Sequence, residues 1–214
     1  MTPTEWLPEA RSVVSFFFPF TEEIRKSNRQ DMAYPSNGWL NGRIEGQAFI
    51  REYTADIVRF LTGNGYAAMA PSLDARAFSE GFEDAHNRRR YTTNWSERHA
   101  AYVCGLGIFG LSAGLITEKG MAGRLTSVIT ALNLEPDRRC YERYNEYCAM
   151  CGKCARNCPA QAIDIKRGKD HAACSRFLDA VKADLDPWYG CGKCQVNVPC
   201  ESGKPGRRAT YPRS

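Results

Sequence analysis

Ten cysteines stand in this 214-residue chain, and eight of them lie between Cys148 and Cys200. The first four keep a fixed rhythm, Cys148-x2-Cys151-x2-Cys154-x3-Cys158-Pro159. Three thiolates on one tight loop can wrap three corners of a [4Fe–4S] cube, and the fourth, before proline, reaches a second cube. A second set follows in Cys174, Cys191, Cys194 and Cys200, which leaves only Cys104 and Cys140 over. By the crossed rule, Cys148, Cys151, Cys154 and Cys200 hold one cluster, and Cys158, Cys174, Cys191 and Cys194 the other. Structural zinc favours paired C-x2-C knuckles and has no use for three cysteines in seven residues followed by Cys-Pro. The last segment departs from the pattern: Cys194-Gln-Val-Asn-Val-Pro-Cys200 has five intervening residues, and Val198 stands where a cysteine is expected. Cys200 is therefore the least secure ligand, with Cys140 as its alternative.

The segment Cys151-Gly-Lys-Cys154 recurs as Cys191-Gly-Lys-Cys194, an internal echo that fits a pseudo-two-fold, bacterial-type two-[4Fe–4S] ferredoxin unit. Clustered thiols read as metal ligands in a reducing cytosol and as disulfides in a secreted chain. The opening residues, Met1-Thr2-Pro3-Thr4-Glu5-Trp6, lack the basic start and apolar core of a signal peptide. No stretch approaches the roughly 20 apolar residues of a membrane span. The expected location is cytoplasmic, with no membrane contact. A hydrophobic content of 43% and a charged content of 25% exclude a disordered or collagen-like chain.

Two textures divide the chain. Residues 1–140 read as an α/β domain, 141–202 as the cysteine domain, and 203–214 as a flexible basic tail. Arg11 to Phe18 is a β-branched and aromatic run ended by Pro19, the pattern of a buried strand. Helical spacing runs from Ile44 to Leu61 and stops at Gly63-Asn64-Gly65. Tyr66–Ala70 reads as a short strand. Asn94 with Glu97 resembles a capping box opening a helix to about Val103. Leu111–Thr117 and Leu125–Leu132 read as strands, and a helix is expected near 171–184. Gly105-Leu106-Gly107-Ile108-Phe109-Gly110 matches the letters of a dinucleotide fingerprint, but a helix precedes it, a strand follows, and Thr130 occupies the acidic position.

Leu7-Pro8-Glu9-Ala10-Arg11-Ser12-Val13-Val14-Ser15, Glu97-Arg98-His99-Ala100-Ala101, the Gly105–Gly110 loop and the Cys148–Cys158 run occur in order. Together they resemble the epoxyqueuosine reductase family, which is related to the cobalamin-dependent reductive dehalogenases. The resemblance implies a nitroreductase-like α/β domain that binds cobalamin, fed with electrons by the two-cluster domain. It places Ser112, Leu115, Leu125 and Arg176 near the corrin. Family reductases carry an aspartate as proton donor a few residues before the Glu-Arg pair, whereas this chain has Tyr91. The dehalogenase relatives use a tyrosine in that role, so Tyr91 is the catalytic candidate. Relatives also have a segment before the first strand and, in many tRNA-modifying members, helical repeats after the clusters. An incomplete corrin pocket and no dedicated RNA-binding module are expected.

Two functions follow. One is an oxidoreductase acting through two [4Fe–4S] clusters and cobalamin on a small molecule or modified nucleoside. The other is an electron-transfer module that reduces a partner protein or its corrinoid and has no substrate of its own. Either would draw on a reduced ferredoxin or flavodoxin-type donor, and a homodimer is compatible with both. The net charge of +5 and the basic tail invite a nucleic-acid reading. No basic platform interleaved with aromatics supports it, so nucleic acid is not expected as a partner. His86 beside Arg88-Arg89-Arg90, His99 and Cys104 read as solvated, helix-borne and buried residues respectively.

Overall fold

A computed structural model describes residues 1–83 and 89–205, with side chains described for 1–82 and 92–205. In chain order the elements are α1 (Pro3–Trp6), β1 (Ser12–Pro19), α2 (Glu22–Gln30), α3 (Asn37–Gly63), β2 (Ala68–Met69), β3 (Ser79–Glu83), β4 (Arg89–Thr93) and α4 (Glu97–Val103). Then come β5 (Gly107–Phe109), β6 (Leu115–Thr117), β7 (Gly123–Thr130), α5 (Lys153–Arg156), β8 (Ile163–Asp164), β9 (Gly168–Lys169) and α6 (His171–Leu185).

The frame is an antiparallel sheet ordered β1-β7-β2. β7, with Thr126 to Thr130 all buried, occupies the centre, and β1 pairs with it from Ser12↔Thr130 to Pro19↔Gly123. The expectation of a buried β1 is thus corrected: it is an edge strand, half-buried along its length. Its Phe16 and Phe18 meet Tyr53 and Phe49 of α3 edge-on, and both of those rings remain exposed. An aromatic run alone does not distinguish a central strand from an edge strand backed by a helix.

The long helix begins at Asn37, well before the apolar spacing, because Ser36 caps it by accepting from the Trp39 amide at 3.1 Å. Its early glycines weaken the helical signal but admit α2: a Cβ at Gly42 would lie 2.8 Å from Ile24 Cδ1. α2 itself escaped sequence reading, since its inner face offers Ile24 and the buried Asn28 rather than an apolar stripe. The capping-box expectation also fails. α4 starts after Ser96 without a side-chain cap, and Asn94 instead accepts from the Phe78 amide and donates to the Arg76 carbonyl.

The glycines of the 105–110 loop serve local geometry. Gly105 has φ +85°, ending α4, and a Cβ at Gly107 would lie 2.4 Å from the Ile116 carbonyl across the β5–β6 hairpin. The backbone there closes on itself and forms no helix-borne phosphate cradle, as the sequence context indicates.

The cysteine segment is sewn to the sheet. Phe20, Trp39, Ala122 and Val196 form one buried cluster, and Ile116, Met121 and Val198 another. The Met121 amide donates to the Cys200 carbonyl at 2.9 Å, and Ala122 to the Glu201 carbonyl at 3.1 Å. The buried Glu201 carboxylate pairs with Arg29, and Arg25 stands 3.8 Å away. The start of the tail is held as well, because Lys204 pairs with Glu118 and sits over the Tyr147 ring. Among the described residues, no helix is long and apolar enough to cross a membrane.

Candidate metal centre

Two cavities open in the cysteine segment, and each is lined by four thiols. Cys148, Cys151, Cys154 and Cys200 surround a tight one of about 20 Å³, closed by Ile116, Met121 and Val198. The unbranched Met121 and Met150 fill the space against the thiols, with Met121 Sδ 3.3 Å from Cys200 Sγ and Met150 Sδ 3.8 Å from Cys148 Sγ. Cys158, Cys174, Cys191 and Cys194 line the other, of about 270 Å³. Cys140 is exposed and lines neither.

Local backbone chemistry explains the two rings. α5 carries Cys154 and ends just before Cys158, so one short helix feeds a thiol to each cavity. The two Cys-Gly-Lys-Cys loops adopt the same turn, with φ +68° at Gly152 and +70° at Gly192. That left-handed region strains any residue with a Cβ. Main-chain amides aim at sulfur: Leu111 N–H at Cys148 Sγ, 3.4 Å, and Ala162 N–H at Cys158 Sγ, 3.3 Å.

Burial and neighbouring thiols push Cys154 up to about 11, with Cys194, Cys148 and Cys151 as the charge neighbours. Burial pushes Cys191 and Cys200 to about 12 and also raises Cys194. Such thiols stay neutral unless a cation draws the proton off, which a coordinated metal does. Among the described residues no three His, Cys, Asp or Glu side chains converge as ligands of a single ion.

The other sequence candidates scatter. Ser112 is buried and lines the tighter cavity. Leu115 is buried in β6, Leu125 is half-buried on β7 opposite Phe17, and Arg176 is exposed on α6. None of these last three lines either thiol cavity. Tyr91 has its backbone on β4, paired with Gly81, and β4 lies against α6, which carries Cys174. Its side chain lies outside the described residues, as do His86 and Arg88. His99 Nδ1 bonds the Ser96 hydroxyl at 2.8 Å and its ring packs on Phe109. The Cys104 thiol faces the Val13 carbonyl at 3.4 Å, and burial raises its pKa.

Sequence reading missed the cations of the larger cavity, Arg43, Arg98, Arg124, Lys169 and Lys193. Arg43 stands one turn after Trp39 on α3, and Gln47 one turn further, so a single helix face meets the cavity. Arg43 lies over the Tyr189 ring at 4.4 Å. Gln47 accepts from Arg124, whose pKa burial lowers to about 10. Arg98 donates to the Ala113 carbonyl at 2.7 Å. Lys193 is fully buried and donates to both the carbonyl and the side-chain oxygen of Asn28 at 2.8 Å. These residues come from α3, α4, β7 and the last loop, so no local motif announces them.

The fold and its thiol rings define a mixed α/β protein with two four-cysteine sites built onto one antiparallel sheet. Comparison with solved structures then shows the fold of the epoxyqueuosine reductases. The Bacillus subtilis enzyme superposes with a TM-score of 0.54 at 19% identity, covering 96% of this chain and 52% of that one. The Streptococcus thermophilus enzyme gives 0.53 at 17% identity, covering 98% and 54%. An epoxyqueuosine reductase solved with an epoxyqueuosine-modified tRNA-Tyr stem loop gives 0.55 at 20% identity, covering 96% and 52%. Among curated proteins, tetrachloroethene reductive dehalogenases of Desulfitobacterium hafniense and Dehalobacter restrictus are 45% identical over 68 residues, 31% of this chain and 12% of theirs. No family model matches the chain. The chain spans about half the length of the solved relatives, and the resemblance drawn from its motifs holds at the level of the fold. A similar protein bound to a tRNA stem loop removes the ground for setting nucleic acid aside.

Proposed function

We propose that the chain is an iron–sulfur oxidoreductase with two [4Fe–4S] clusters, one on Cys148, Cys151, Cys154 and Cys200 and one on Cys158, Cys174, Cys191 and Cys194. The observation that carries this reading is the grouping of eight thiols around two cavities in the crossed order that the spacing predicts. When bound, such clusters store and pass single electrons at low potential. The chain's own residues do the rest. The Leu111 and Ala162 amides hold ligand sulfurs, Ile116, Met121 and Val198 keep water from the tighter ring, and the arginines set the charge around the larger one. A reduced ferredoxin or flavodoxin-type carrier is the proposed donor.

For a corrin the residues present do not gather. Of its four expected positions only Ser112 lines a thiol cavity. No step is routed through it. The proposed substrate is a small molecule or a modified nucleoside, free or within RNA, the last supported by the tRNA-bound neighbour. Tyr91 is the proposed proton donor, its phenol replacing the carboxyl of the reductases.

The test is anaerobic purification from cells supplied with cobalamin, with Fe, Co and Zn counted per chain. About eight Fe is expected, as two [4Fe–4S] clusters require. Cys200→Ser should remove about half of the iron, and Cys140→Ser none. Zinc in place of iron would end this reading. About one Co per chain would bring the corrin back, and Tyr91→Phe would then be assayed for lost turnover with iron intact.

A further inference from the structure

The two thiol rings sit in opposite electrostatic surroundings. Around Cys148, Cys151, Cys154 and Cys200 the cavity is completed by residues such as Leu111, Ile116, Met121, Val198 and Pro199, and none of its lining side chains besides the thiols is ionisable. Around Cys158, Cys174, Cys191 and Cys194 it takes Arg43, Arg98, Arg124, Lys169 and Lys193, with no carboxylate among the lining residues. The arginines there find neutral partners: the Tyr189 ring for Arg43, the Ala113 carbonyl for Arg98, the Gln47 amide oxygen for Arg124. Arg98 lines the cavity together with Cys174 and Cys194, and Arg43 packs against Gly190, next to Cys191. Near the first ring, Arg156 bonds the Cys151 carbonyl, and its side chain does not line the cavity.

Reduction of a cluster adds one negative charge. Cations lining a cavity with no carboxylate in its lining stabilise that charge, and an apolar wall does not. Net charge, hydrogen bonds to sulfur and exposure set cluster potentials. Cys151 is also exposed, so the first ring reaches the surface where a donor can dock.

We propose that this asymmetry sets the direction of electron flow: the cluster in the cationic cavity has the higher potential, and Arg98 and Arg124 are the positioning residues that give it that rank. With clusters bound, the Cys148–Cys200 ring would be the one to meet a one-electron carrier, and the Cys158–Cys194 ring would hold the electron more tightly. α5 carries Cys154 of one ring and ends two residues before Cys158 of the other, so the rings adjoin there. The Cys158–Cys194 ring also borders Phe20, just after β1, and Gly123 and Arg124 of β7.

The proposal rests on the two-cluster reading, and redox titration followed by electron paramagnetic resonance on the eight-iron protein tests it. Two signals of different midpoint are expected. Arg98→Gln and Arg124→Gln should each lower the higher midpoint and leave the other in place, and Arg98→Lys and Arg124→Lys should largely restore it. Glutamine variants that lower the lower midpoint, shift both equally or shift neither overturn the proposal. Failure of the underlying reading appears earlier and separately, as an iron count well below eight in the unmodified chain, and takes the proposal with it.

Discussion

Glu97 is half-buried where α4 meets β7, with a carboxyl oxygen covered from solvent. One carboxyl oxygen accepts from the Ser127 hydroxyl at 2.6 Å, and the other has no hydrogen-bond partner among the described residues. Burial raises its pKa, and the hydrogen bond from Ser127 opposes that shift. An acid whose folded pKa is raised favours folding fully below its unfolded value of 4.5, and that contribution is lost as pH rises through the folded value. Glu97→Gln keeps the Ser127 contact and cannot ionise. Its melting temperature should match the parent near about pH 3.5 and exceed it near about pH 8; a constant gap across that range would show that ionisation of Glu97 is not what costs stability. At this scale the thiol ligands were legible, since a repeated spacing needs no tertiary knowledge. The choice between Cys200 and Cys140 was not. It depends on the Met121 and Ala122 amides, which bring the Cys200–Glu201 backbone onto the sheet.

The paired Cys-Gly-Lys-Cys loops show what an element's surroundings add to its sequence. Both glycines have the same positive φ, so a Cβ costs each roughly 1–2 kcal/mol. At Gly152 that Cβ would meet the exposed tip of Ile165 at 2.8 Å, which can turn away. At Gly192 it would stand 2.0 Å from the buried Trp39 ring, which cannot. Gly152→Ala should thus cost about 1–2 kcal/mol, and Gly192→Ala a further 1–3 kcal/mol from overpacking. Chemical denaturation of the two variants checks the order, and equal costs would mean that Trp39 yields. Sequence could show that the loops repeat, but not that one is wedged under a tryptophan. Elements built on apolar periodicity, α3 and α6, were legible in their interiors. α2 and the β3–β4 hairpin were not, because polar residues and short strands carry little periodic signal.

Across the whole molecule, Trp39 ties the two textures together. It lies on α3, stacks edge-on to Phe20 at 4.7 Å and shares a buried cluster with Val196 from the last cysteine loop. Trp39→Ala should cost about 3–5 kcal/mol. The variant should lose iron and unfold in a single shared transition at lower temperature, followed by circular dichroism and by the visible absorbance of the clusters. Loss of iron well before the sheet melts would show two independent units instead. The sequence by itself determined the cysteine spacing and the likeness to the epoxyqueuosine reductases, because cysteine spacing and short motifs are properties of contiguous chain. Only the tertiary structure decided which side chains surround each ring. Arg43, Arg98 and Arg124 come from α3, α4 and β7, and the charge that distinguishes one cavity from the other arises where those elements meet.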